Sequence, residues 1–292
     1  MAFLYRLRGP PSPRGNWPLP TCGHDGAATY PPDMSARSIV YFAYLGDEDT
    51  ESDLASRRLS FVERQFQWLS QLVVASPDKI EVVVAYVAPR SWDAELHRSV
   101  ARHGFAIDPL SIASDRTNRF EYPGFRAMKA LAARSASDDL IYYCHSKGAG
   151  QLDDRKMGLF RLHTQVGLTA DLGRLARDPS LTRAGMFPSR YGWCWFNFFW
   201  IKAGYMAGLT VTESADRHQF EELIGDRGDM HAYRHVLPLI DRVPFEDTGI
   251  PAKAWYRPEE TKSAVLLATY DRYACLESPA TGRALTAKGD AA

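Results

Sequence analysis

Three short runs limit the architecture of this chain more than any other feature. Residues 39–45 (IVYFAYL), 79–87 (KIEVVVAYV) and 139–144 (DLIYYC) carry β-branched and aromatic side chains at consecutive positions. A strand with one solvated face alternates polar and apolar residues, so runs without alternation belong to strands covered on both faces. Helical stretches lie between them. Leu59, Val62, Phe66, Leu69 and Val73 recur at spacings of three and four and make one apolar helix face. A helix through 95–103 follows the second run, and 105–107 makes a third short strand. Pro123 sits where another helix begins, with Phe125, Met128 and Leu131 on its inner face. Residues 155–177 read as one helix, 184–187 as a strand and 216–224 as a last helix. Strand–helix–strand alternation predicts an α/β fold with a mainly parallel central sheet and helices on both faces.

Composition narrows the class. The chain has 292 residues, 45% hydrophobic, which suffices for a substantial core. Its 35 basic and 35 acidic side chains cancel, so no nucleic-acid partner is expected. No run of about 18 apolar residues occurs, hence no transmembrane segment. Cys22, Cys144, Cys194 and Cys275 lie far apart with no CxxC pair, which fits reduced thiols and a cytoplasmic location. Prolines 10, 11, 13, 18, 20, 31 and 32 remove backbone donors along the first stretch. Residues 1–35 therefore read as a disordered leader, with Met34 as the expected native start. Residues 36–277 read as one domain, and 278–292 as a flexible tail.

In open parallel sheets, ligands bind beyond the carboxyl ends of the strands. Tyr44-Leu-Gly-Asp47 follows the first strand, and His145-Ser-Lys-Gly148 follows the strand at 139–144. The second segment puts an imidazole, a hydroxyl and an ammonium at the sheet edge, with a glycine that lets backbone approach a ligand. By spacing alone it fits a polar turn equally well.

The string Phe120-Glu-Tyr-Pro-Gly-Phe125, a helix, then Leu140-Ile-Tyr-Tyr-Cys-His-Ser-Lys-Gly148 resembles a group of bacterial and viral glycosyltransferases of the rhamnan-synthesis type. Their equivalent strand ends in His-Thr/Ser-Lys-Gly. The same proteins carry an aromatic Gly-Asn-Phe-Trp-Trp block and then Arg-x-x-x-Glu; the counterparts here are Phe196-Asn-Phe-Phe-Trp200 and Arg217-His-Gln-Phe-Glu221. Order and spacing hold over residues 36–225. Phe196 departs from the family's Gly, and Leu223 stands where a Trp often follows.

The resemblance implies a GT-A-like nucleotide-binding sandwich that transfers a sugar from a nucleotide sugar to a glycan or other polyhydroxyl acceptor, as in polysaccharide biosynthesis. Many such enzymes hold a divalent metal with an Asp-x-Asp pair where this chain has His145-Ser146-Lys147, so a metal is possible but not supplied by that pair. A lysine ammonium can instead meet the charge of the leaving diphosphate. The donor residues expected are Tyr44, Arg119, His145, Ser146, Lys147 and Gly148, with Arg116 and Asn118 as further candidates. His145 either assists Lys147 or holds a weakly bound metal. Glu221 is the candidate base, held by Arg217 four residues earlier on a helix. Asn197, Trp200 and Arg217 are the expected acceptor contacts. Asp229 and His231, in GDRGDMHAYRH at 225–235, are weak metal candidates whose spacing matches no strong signature. The alternative is a catalytically silent glycan- or nucleotide-binding domain of the same fold.

Overall fold

The apolar runs become neighbouring parallel strands in the computed structural model. It describes residues 35–239, apart from 110–111, 114–119, 187, 190, 215, 217–218, 227 and 230; for 112, 113, 155, 195 and 221 it describes the backbone. Residues 1–34 of the expected leader, with the Met34 start, and the expected tail lie outside the described residues. The order is β1 (Arg37–Tyr44), α1 (Ser52–Ala75), β2 (Ile80–Ala88), α2 (Arg90–Arg102), β3 (Ala106–Ile107), β4 (Ile112–Ala113), α3 (Tyr122–Ala132) and β5 (Leu140–His145). Then come α4 (Asp154–Thr169), α5 (Gly173–Arg177), β6 (Arg183–Gly185), β7 (Phe199–Lys202), α6 (Ala203–Gly208), α7 (Gln219–Glu222) and β8 (Val236–Pro238).

The strands form one sheet in the order β3-β2-β1-β5-β7-β6-β8, with β4 also on β2. β1 pairs in parallel with β2 from Arg37↔Ile80 to Tyr44↔Val87, and with β5 from Arg37↔Leu140 to Phe42↔His145. β7 runs antiparallel to both β5 and β6, while β8 is parallel to β6. The sheet is thus mainly parallel, as the alternation requires.

Period-two geometry sends successive side chains of each strand to opposite faces. Ile39, Tyr41, Val82, Val84 and Tyr142 pack with Leu59, Val62 and Phe66 of α1, Leu96 and Val100 of α2, and Phe160 of α4. Val40, Phe42, Ala85, Ile141 and Tyr143 pack on the other face with Phe125, Met128 and Leu131 of α3, Met206 of α6 and Phe220 of α7. Each buried Val, Leu, Ile, Phe or Met among them contributes about 1.5–3 kcal/mol. Gly124 lets α3 lie close to the sheet: a Cβ there would stand 2.8 Å from Phe42 Cβ and 2.8 Å from the Tyr143 hydroxyl. Cys144 and Cys194 are free and buried. Among the described residues, no helix is long and apolar enough to cross a membrane.

Two elements differ from expectation. The helix expected over 155–177 breaks into α4 and α5, because the Asp171 carboxylate accepts the Gly173 N–H at 2.8 Å and closes a turn between them. The helix expected over 216–224 is the four-residue α7, which a turn closed by Gly225 N–H on the Glu222 carbonyl ends. Within the aromatic block, a 3-10 turn at Trp195–Asn197 precedes β7, with φ of 68° at Phe196.

Candidate functional site

The chain steps from β1 outward to β2, then returns to place β5 on the other side of β1. That reversal opens a crevice at the carboxyl ends of β1 and β5, where open α/β sheets take ligands. Two more segments reach the same edge. β7 is antiparallel, so the turn at Trp195–Asn197 arrives there, and the start of α3 arrives there after β4.

The turn after β5 is anchored from below. Ser146 N–H donates to the Phe42 carbonyl at 2.8 Å, and its hydroxyl accepts the Tyr44 N–H at 2.9 Å. Ser146 is buried and holds two strand ends together. The Lys147 carbonyl accepts from Gln65 Nε2 at 3.0 Å, and Gln65 Oε1 accepts the Tyr41 hydroxyl at 2.5 Å. Gln65 is wholly buried, so this pair fixes the backbone from which Lys147 projects. Gly148 takes φ of 89°, and a Cβ there would meet Lys156 Cβ at 2.6 Å. The turn therefore needs glycine. The half-buried Lys147 ammonium stands 5.2 Å from the centroid of the Phe196 ring, within cation–π range.

Arg58, on α1, ties the two loops. Its guanidinium donates to the Leu45 carbonyl and the Gly150 carbonyl, each at 3.2 Å, and lies 5.4 Å from the Tyr44 ring centroid. Burial, then the Asp47 carboxylate, raises the Tyr44 hydroxyl above its ordinary value, while Arg58 opposes this.

A second cluster joins β5 to the start of α3. Glu121 Oε2 accepts from the Tyr143 hydroxyl at 3.0 Å and from Asn197 Nδ2 at 2.9 Å. Its Oε1 faces His145 Nδ1 at 3.7 Å, and His145 Nε2 lies 3.0 Å from the Phe196 carbonyl oxygen. Phe196 and Asn197 have φ of 68° and 53°, the left-handed region that a glycine takes without strain. Behind the cluster, His163 of α4 is buried against Phe198, with ring centroids 4.8 Å apart. Burial, then the charges of Lys147 and His145, lowers its pKa to about 3.

Other expected residues fall differently. Trp200 is a core residue: it is 1% exposed, packs on Tyr142 and donates its indole N–H to the Gly167 carbonyl at 2.8 Å. A buried ring with its only donor satisfied offers nothing to an acceptor sugar, which corrects the expectation. Asn197 is brought to the site but is 1% exposed, and its Oδ1 has no hydrogen-bond partner among the described residues. Glu221 lies on α7, whose Phe220 packs 5.5 Å from Phe125 and 6.4 Å from Tyr122, beside the start of α3. Arg116, Asn118, Arg119 and Arg217 lie outside the described residues. Asp229 accepts the His231 N–H at 2.7 Å, which makes it a turn cap. Among the described residues no group of three or more His, Cys, Asp or Glu could hold a metal. At the turn after β5 the donor set does not fit a divalent cation: it offers an ammonium, and both ring nitrogens of His145 are turned to protein acceptors.

The residues that sequence reasoning missed are Gln65, Arg58 and Glu121. Glu121 had a signal: a carboxylate in the otherwise apolar string Phe120-Glu-Tyr-Pro-Gly-Phe125 must find partners when buried.

No protein-family model matches the chain, and no curated protein does. Among solved structures, a cytidylyltransferase from Leptospira borgpetersenii serovar Hardjo-bovis matches with a TM-score of 0.35 and 9% identity. That match covers 87% of this chain and 100% of the other.

Proposed function

We propose that the chain is a glycosyltransferase of GT-A-like fold, moving a sugar from a nucleotide sugar to a glycan or other polyhydroxyl acceptor. The observation that carries this reading is Lys147: its backbone is fixed by Gln65, and its half-buried ammonium stands at the crevice where the strand order reverses. A leaving diphosphate gains negative charge as the anomeric carbon–oxygen bond breaks, and a fixed cation stabilises that charge most where it develops. The acceptor oxygen forms the new bond to the anomeric carbon. Under inversion, the acceptor hydroxyl proton passes to Glu221 as base. Tyr44, His145 and Gly148 line the donor side, joined by Arg119; Asn197 and Arg217 belong to the acceptor side.

The test is slow hydrolysis of nucleotide sugars, the transfer to water that such enzymes support when an acceptor is lacking. Incubation with a panel of uridine, guanosine, cytidine and thymidine diphosphate sugars should release nucleoside diphosphate from one of them, and Lys147→Ala should abolish the release. The lack of an acidic pair after β5 favours a second reading, a binding domain without chemistry. Tight binding of a nucleotide sugar with no release of product by the wild-type chain would establish that reading instead.

A further inference from the structure

The charge on His145 can be argued from what its two ring nitrogens meet. Nε2 lies 3.0 Å from the Phe196 carbonyl oxygen, which can only accept, so Nε2 carries a proton. A neutral ring would then turn the lone pair of Nδ1 toward Glu121 Oε1 at 3.7 Å. That arrangement is repulsive if the carboxylate is ionised, and Glu121 is placed to be ionised. Its Oε2 accepts two hydrogen bonds, from Tyr143 and Asn197, and bonds of that kind favour the charged form of an acid. With side chains 14% and 18% exposed, the pair is poorly screened by solvent. A proton on Nδ1 converts the repulsion into an ion pair.

We propose that Glu121 is a positioning residue that keeps His145 doubly protonated, so that the end of β5 presents two cations, His145 and Lys147, to the donor's diphosphate. The binding consequence rests on the donor-site reading; the charge state does not. Four described titratable groups around His145 set the balance. Glu121 from α3 favours the cation. Lys147 from the following turn opposes it. Tyr143 on β5 stacks at 6.3 Å, its hydroxyl pushed well up by burial and Glu121, and stays neutral. His163 from α4 is neutral at working pH. Glu121, 3.7 Å from Nδ1, is the anion of this group. Its partner's second nitrogen is tied to the strained turn at Phe196, so the ring cannot swing away from it. A cationic ring held in this way also takes His145 out of the roles of metal ligand and general base.

The test reads the imidazole directly. Long-range proton–nitrogen NMR of the histidine-labelled full chain, with His145 assigned from a His145→Gln spectrum, should show both ring nitrogens protonated at pH 7.5. In Glu121→Gln the same ring should be neutral at that pH, protonated on Nε2 alone. A neutral His145 ring in the wild-type chain at pH 7.5 overturns the proposal, and that observation does not depend on whether the variant folds. The functional arm uses uridine diphosphate as probe. Relative to wild type, Glu121→Gln should lose affinity on the order of tenfold between pH 6 and 8, as its His145 gives up the proton with rising pH. A pH-independent ratio of affinities would contradict the link to binding. A wild-type chain that binds no nucleoside diphosphate overturns the donor-site reading, while the nitrogen shifts still decide the charge.

Discussion

Lys147 and Glu221 divide the proposed chemistry between a charge that meets the donor and a base that meets the acceptor, and the two roles separate kinetically. Glu221→Gln keeps the shape of the side chain and removes its basicity. Under inversion, turnover should fall about 10²–10⁴-fold with donor affinity unchanged. A loss below roughly tenfold, read from initial rates at saturating donor, would remove Glu221 from the role. His163 makes a prediction about stability. Its pKa is lowered to about 3 in the folded chain, mainly by burial, so the folded state keeps the ring neutral while the unfolded chain takes up a proton below about pH 6.5. The contribution is therefore complete above about pH 6.5 and declines by about 1.4 kcal/mol per pH unit as pH falls toward 3. His163→Gln should flatten that acid limb in urea titrations between pH 6 and 4. An unchanged slope would mean that the ring is protonated in the folded state.

Glycine governs how closely α3 approaches the sheet, and the position of Glu121 depends on it. A methyl group at Gly124 would need space now held by the β-carbon of Phe42, 2.8 Å away, which is backbone-bound and cannot rotate clear. Helix propensity favours alanine by about 1 kcal/mol, yet overpacking typically costs about 1–3 kcal/mol. Gly124→Ala should therefore lower the unfolding midpoint in urea, and a raised midpoint would show that α3 shifts freely. The same element explains what was legible. Pro123 and the three- and four-residue spacing of Phe125, Met128 and Leu131 announce the helix, because those features act locally. Its first residue's neighbour, Glu121, was not legible as a site residue. Its partners Tyr143, His145 and Asn197 lie 22, 24 and 76 positions away, and only the folded sheet brings them together. The aromatic block misled for a related reason. Trp200 and Phe199 are apolar whether they face a ligand or the core, and burial on β7 decides for the core.

Across the molecule, β1, β2 and β5 were readable because coverage on both faces leaves an unbroken apolar run, whereas β7 and β8 are short strands whose pairing depends on distant partners. The proposed site lies where strand order puts a crevice, and its turn is formed by the residues after β5. What the sequence left open was the scaffold beneath the turn, where Gln65 and Arg58 reach it from α1 across about 80 to 90 positions. That scaffold is what separates a fixed cation from a solvated one. The measurement that tests this most directly is the dissociation constant for nucleoside diphosphates, by calorimetry, in the wild-type chain and in Lys147→Ala. Loss of one charge-assisted contact should cost about 1.5–3 kcal/mol, or about ten- to more than a hundredfold in affinity, with the unfolding temperature unchanged. Equal dissociation constants in the two proteins would contradict the assignment of Lys147 to the diphosphate.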